Sequence, residues 1–152
     1  MESISSRVRN LRGCLYELTY PFPQIGYIEV EDMMRLDRKI RSGIDSLYPA
    51  KTEDAEEEAL LCAVLLQAYG GLLCQGVMDR ERRQFLLDRS AKLLEKDLSP
   101  MSRCYLLVSC YGMVYEPDLA CEAHAIMEGW QGREQSEEER ELADMLRILE
   151  EV

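Results

Sequence analysis

The chain has 152 residues, of which 47% are apolar and 31% charged, and its 18 basic and 29 acidic side chains leave a net charge of −11. A single domain of that length buries about 70% of its unfolded surface and needs no staples to hold a core. The charge excludes a protein that holds DNA, RNA or anionic lipid through its mean field.

The charge is uneven. Residues 1–50 carry 7 acids and 7 bases, residues 51–100 carry 10 and 7, and residues 101–152 carry 12 and 4. The C-terminal third is thus a solvated face that resists aggregation, or a surface that meets a basic partner. Six cysteines (Cys14, Cys62, Cys74, Cys104, Cys110 and Cys121) show no CxxC spacing. Most sit in apolar helical stretches, where a free thiol acts as a small hydrophobe. With no signal peptide ahead of them, the expected home is a reducing cytoplasm. Gln67, Gly70 and Gly71 break the longest apolar run, so no segment reaches the roughly 18–20 residues of a membrane span.

In chain order, Ile4, Val8, Leu11, Leu15 and Leu18 form one stripe of a helix from about Glu2 to Tyr20, which Pro21 and Pro23 end. Residues Tyr20–Tyr27 read as an aromatic loop. Met33, Leu36, Ile40, Ile44 and Leu47 mark a second helix from Glu29 to Leu47. Its outer side carries Arg35, Arg38, Lys39 and Arg41, interleaved with Asp32, Asp37 and Asp45, as on a solvated helix face. Residues 59–74 are apolar on nearly every side and follow an acidic run, Glu53 to Glu58. That pattern predicts a central helix, with the acids at its positive N-terminus and Thr52 as its cap.

Gly76 reads as a C-terminal cap. Asp79 then opens a fourth helix to about Lys96, with Leu87, Ala91, Leu94 and Leu98 as its stripe. Ser99-Pro100 and Glu116-Pro117 start the fifth and sixth helices. Leu107, Cys110, Tyr111 and Val114 lie on the fifth, and Leu119, Ala123, Ile126, Met127 and Trp130 on the sixth. Ser136 with Glu139 forms a capping box for a last helix seamed by Leu142, Met145, Leu146 and Leu149. Nothing alternates with period two. The expected fold is one all-α domain over 1–152, a bundle of about seven helices around 59–74, with stacked helical hairpins as the alternative.

No constellation points to chemistry, so no catalytic, metal or cofactor-binding residue is expected. His124 is the one histidine, and no oxyanion hole or orienting group accompanies it; it reads as a hydrogen-bonding surface residue. No phosphate loop, metal-ligand spacing or basic-aromatic interleaving occurs. What remains is surface: Tyr and Trp beside acids suit a protein interface. The candidate partner-binding residues are Tyr115, Glu116, Trp130, Glu137, Glu138 and Glu141.

Three segments resemble the UpxZ family of Bacteroides-type gut bacteria. They are Glu56–Leu66, Leu86–Ser90 and, most distinctively, Cys110–Trp130, with its Tyr-Gly-Met-Val-Tyr-Glu and Glu-Ala-His-Ala-Ile runs. The likeness covers roughly 50–150; the first 50 residues match in general character. The resemblance implies a regulator and not an enzyme. UpxZ-like proteins antagonise UpxY-type, NusG-like antitermination proteins of other capsular polysaccharide loci, so that one capsule operon is expressed. It implies no cofactor, small-molecule substrate, membrane or direct nucleic-acid contact. The rival reading is an acidic helical adaptor without a transcriptional role.

Overall fold

In the computed structural model, which describes residues 3–19 and 29–151, the described residues form seven α-helices and no strand. They are α1 (Ile4–Thr19), α2 (Val30–Leu47), α3 (Ala55–Gly70), α4 (Val77–Leu93), α5 (Pro100–Val114), α6 (Pro117–Glu128) and α7 (Glu137–Glu150). The predicted aromatic loop, Tyr20–Tyr27, lies entirely outside the described residues.

Several boundaries follow the expected chemistry. Ser99 Oγ accepts the Ser102 amide, with Pro100 at the first helical position of α5. At α7, Ser136 Oγ accepts the Glu139 amide at 3.1 Å, and Glu139 accepts the Ser136 amide at 2.8 Å. Others differ. Asp54 caps α3, accepting the Glu56 amide. Thr52 is engaged elsewhere, its amide donating to Glu58 and its hydroxyl to the Asp54 carbonyl. The helix ends at Gly70, with Gly71 as its C-cap, so Leu72 to Cys74 are outside it. Gly76 starts α4 rather than ending α3: its amide donates to Asp79 at 2.9 Å.

The acids before α3 are more than dipole partners. Glu56 accepts the Ser99 amide at 2.6 Å and its hydroxyl at 3.1 Å, joining the starts of α3 and α5. Hydrogen bonds from Ser102 and Ser99 hold its carboxyl below the usual range. Glu58 pairs with Arg89 and so ties α3 to α4. Arg41 of the basic α2 face binds Asp79 at 2.6 Å. Arg35 lies 3.8 Å from Asp32, so two of the four bases on that face meet acids within the fold, and the interleaved Asp37 accepts the Leu73 amide.

The helices pack as hairpins, α1 with α2, α3 with α4 and α5 with α6. Odd-numbered helices then stack in a row, α1 on α3, α3 on α5 and α5 on α7, with the α3–α5 contact the most extensive. This is the hairpin stack that the sequence left as an alternative. Beside the expected central helix α3, α5 is buried over a run of similar length. Every residue from Leu61 to Leu66 in α3 is buried, and so is every residue from Cys104 to Cys110 in α5. The surrounding helices join the same cluster through Leu11, Ile44, Leu86, Ala123 and Leu146. Gly43 lets α1 come close to α2, since a Cβ there would lie 3.0 Å from Leu11.

Of the expected α4 stripe, Leu98 is buried, Leu87 and Leu94 are half-buried against the core, and Ala91 is exposed; within the helix Leu86, Ser90 and Leu93 are buried more deeply. Ser90 is tolerated because its hydroxyl donates to the Leu86 carbonyl at 2.7 Å. In α5, Val114 is exposed rather than core-facing.

If α3 and α5 are equal centres, Leu65→Ala and Leu106→Ala should each cost about 3 kcal/mol in urea unfolding, and Leu65→Asp more than that. A cost below about 1 kcal/mol at Leu106 would reduce α5 to a peripheral role. The α7 cap should make stability acid-sensitive. Arg133 and the Ser136 amide hold Glu139 down at about 2, against an ordinary 4.5. Its contribution is therefore present above about pH 4.5 and is lost as pH falls toward 2. Thermal melts from pH 6 to pH 2 should show a smaller acid loss in Glu139→Gln than in the unaltered chain; equal losses would assign the effect elsewhere.

Candidate partner-docking groove

The stacked odd-numbered helices do not form a flat row. Arg12 of α1 reaches Glu138 of α7 at 3.9 Å, so the first and last members approach each other and close a groove over α3 and α5. A curved helical stack offers such a concave face.

One end of the groove is polar. Arg12, Tyr16, Gln67, Tyr105, Glu138 and Glu141 line a small cavity of about 60 Å³. The Arg12 guanidinium sits 4.9 Å from the centre of the Tyr105 ring. The Tyr105 hydroxyl donates to Gln67 Oε1 at 2.7 Å, and Gln67 Nε2 lies 3.3 Å from Met145 Sδ. Burial pushes the Tyr105 phenol up to about 12, so it remains a donor at neutral pH. Gln67 thus satisfies a polar cluster at the end of an apolar helix. Its interruption of the apolar run was the sequence signal for this cluster.

Past Gln67 and Met145 the groove widens to about 320 Å³. Its walls include Leu15, Val108, Met113, Ile148 and Leu149, and Gly70, Gly71 and Gly112 line it where side chains are absent. Ser109 lines it too, and its hydroxyl is buried with no hydrogen-bond partner among the described residues. Tyr115 closes this end. It caps α5 in the left-handed conformation, φ 54°, with its ring edge-on to Tyr111 at 5.3 Å and 44% of its surface exposed. A left-handed Tyr is strained, and such strain collects at functional positions.

The six candidate residues separate. Tyr115, Glu138 and Glu141 line this groove. Glu137 is exposed beside them in the first turn of α7, and Glu116 is exposed at the start of α6. Trp130 is apart from these. It is 6% exposed, in the turn after α6, and belongs to the core. It lines a separate cleft with His124, whose Nε2 lies 2.7 Å from Glu150. His124 is therefore a surface hydrogen-bonding residue, as expected. Arg12, Met113, Met145 and Ile148 were not foreseen as groove residues, because Met113 meets Met145 and Ile148 only where α5 packs on α7, and Arg12 joins them only where α1 approaches α7.

Among the described residues, no cluster of three or more His, Cys, Asp or Glu side chains is placed to hold a metal ion. No described helix is long and apolar enough to cross a membrane. Burial pushes the Cys62 and Cys110 thiols up to about 11 and Cys104 to about 12. These thiols therefore lack the thiolate character of a nucleophile.

No curated protein matches the sequence. The fold is similar to the crystal structure of a transcription anti-terminator antagonist UpxZ from Bacteroides uniformis. That match has 29% identity and a TM-score of 0.82, and covers 99% of this chain and 94% of the other. The model of the UpxZ family of transcription anti-terminator antagonists matches residues 10–112. It therefore takes in most of α1 and all of α2, where the sequence showed only a general likeness, and stops before most of the distinctive Cys110–Trp130 run. With the match running over more than half of its length, the chain belongs to the UpxZ family of transcription anti-terminator antagonists.

Proposed function

We propose that the chain acts in the cytoplasm as a trans-acting inhibitor of transcription antitermination, binding UpxY-type, NusG-like proteins of other capsular polysaccharide operons so that one capsule locus is expressed. It does so by occupying a surface, without chemistry, cofactor or small-molecule substrate. The supporting observation is the family membership together with the charge: residues 101–152 carry 12 acids against 4 bases. Glu137, Glu138 and Glu141 from this segment start α7 beside the groove. Such a face suits a basic surface on a protein that itself engages polymerase or nascent nucleic acid. Covering that surface blocks the docking. The protein contributes electrostatic complementarity, which governs encounter rate and partner choice more than raw affinity.

Glu139 has a separate role. Its carboxylate is committed to Arg133 and the Ser136 amide, so altering it tests the fold and not the interface. The informative variant is Glu137→Gln with Glu138→Gln and Glu141→Gln. Calorimetric titration against a purified NusG-like anti-terminator from another capsule locus should show affinity falling about tenfold or more between 50 and 300 mM salt. The triple variant should bind more weakly and lose part of that salt dependence. A salt-independent affinity that the variant retains would remove the acidic face as the binding surface. An adaptor without a transcriptional role would bind no anti-terminator from any locus. His124→Ala should leave antagonism intact in a cell-based readthrough assay; its loss in a folded protein would reopen a chemical role.

A further inference from the structure

We propose that the groove between α1, α3, α5 and α7 is the docking site for one short amphipathic helix of the antagonised protein. This helix would set apolar side chains on Met113, Tyr115 and Ile148, and basic side chains against Glu138 and Glu141. The inference rests on the reading that the partner is an anti-terminator, and it names the surface and the chemistry that the partner presents.

Three observations select this occupant. The first is the polarity gradient along α7. Glu138, Glu141, Met145 and Ile148 follow one another at helical spacing on the groove side. Acids come first and apolar side chains after, over about 15 Å. A helix of about three turns matches that length, with Lys or Arg at one end and apolar residues one and two turns away. Such a ligand is read through anchors at i, i+3, i+4 and i+7.

The second is the lining. Gly70, Gly71 and Gly112 present no side chain. A Cβ at Gly70 would come within 3.0 Å of the Met113 methyl, and one at Gly112 within 3.3 Å of Leu149. Met113 and Met145 are unbranched and can reshape around an incoming side chain. The third is the surface left in the open. Tyr115 and Ile148 are large apolar residues 44% and 38% exposed at the wide end. A second copy of this chain is the poorer occupant, because it would bring another −11 of charge to an acidic rim.

The test uses the full chain and a purified NusG-like anti-terminator from another capsule locus. Ile148→Lys sets a charge on the apolar wall, and Glu141→Lys reverses the polar end. Glu95→Lys makes the same charge change after α4, away from the groove. Ile148→Lys should weaken binding by about thirtyfold or more and Glu141→Lys by about tenfold, with Glu95→Lys within about twofold of the unaltered chain. Circular dichroism and melting temperature establish that each variant is folded. Hydrogen exchange on the complex should protect one stretch of about three helical turns in the partner. If the unaltered chain binds and all three variants bind equally well, the groove assignment is overturned while the antagonist reading stands. If the unaltered chain binds no anti-terminator, that reading is overturned, and this one with it. Protection confined to β-strands of the partner, or a homodimer abolished by Ile148→Lys, would also overturn the helical occupant.

Discussion

The contact between α3 and α5 is the constraint on which the rest of the structure depends. Each helix is buried on every side over a run that covers nearly two full turns, Leu61–Leu66 in one and Cys104–Cys110 in the other. A helix buried all round cannot end its packing at one neighbour. Two such helices side by side still leave apolar surface on both flanks, and the remaining elements cover it. α4 and α6 fold back as hairpin partners, α1 and α2 cover one flank of α3, and α7 lies along α5. The architecture is in that sense a way of wrapping two helices that cannot face water.

The acids of this chain divide into two populations by what they touch. Glu56, Glu58, Asp79 and Glu139 each accept backbone amides or bind a guanidinium from another turn or helix. Arg41 and the Gly76 amide lower Asp79, as Arg133 and the Ser136 amide lower Glu139. Their charge is spent inside the fold. The acids at the outer start of α7 are held more loosely: Glu138 reaches Arg12 only at 3.9 Å with its side chain 63% exposed, and Glu138 and Glu141 line the groove. Counting net charge alone joins the two groups; only the hydrogen bonds separate acids that hold the stack from acids left exposed at the groove.

Much of the helical plan was legible because its signals are local. Ser99-Pro100, Glu116-Pro117 and the Ser136–Glu139 box fix three helix starts within a few residues of sequence. The errors arose where two local answers compete. Leu86 and Leu87 are both apolar, so α4 could be assigned either stripe, and packing against α3 selects Leu86 with Ser90 and Leu93. Asp54 and Thr52 are both good caps; Glu58 engages the Thr52 amide and leaves the role to Asp54. The second central helix was obscured because Tyr105 and Ser109 make α5 look mixed. In the fold, the Tyr105 hydroxyl is satisfied by Gln67, so the residue can be buried.

The groove was not legible, since no local pattern encodes it. It depends on α1 coming round to α7, an approach marked by Arg12 against Glu138 across most of the chain length. Tyr115 and the α7 acids were separate candidates in the sequence, and the fold brings Tyr115, Glu138 and Glu141 to one groove. Trp130, chosen on the same grounds, instead closes the turn between α6 and α7. The difference is geometric. Tyr115, at the end of a central helix, lies at the edge of the core against Tyr111 and keeps 44% of its surface exposed. Trp130, in a turn between two covering helices, faces inward, because it is the residue that fills the gap they leave. Type and spacing put both beside acids; position within the stack decides which one a partner can reach.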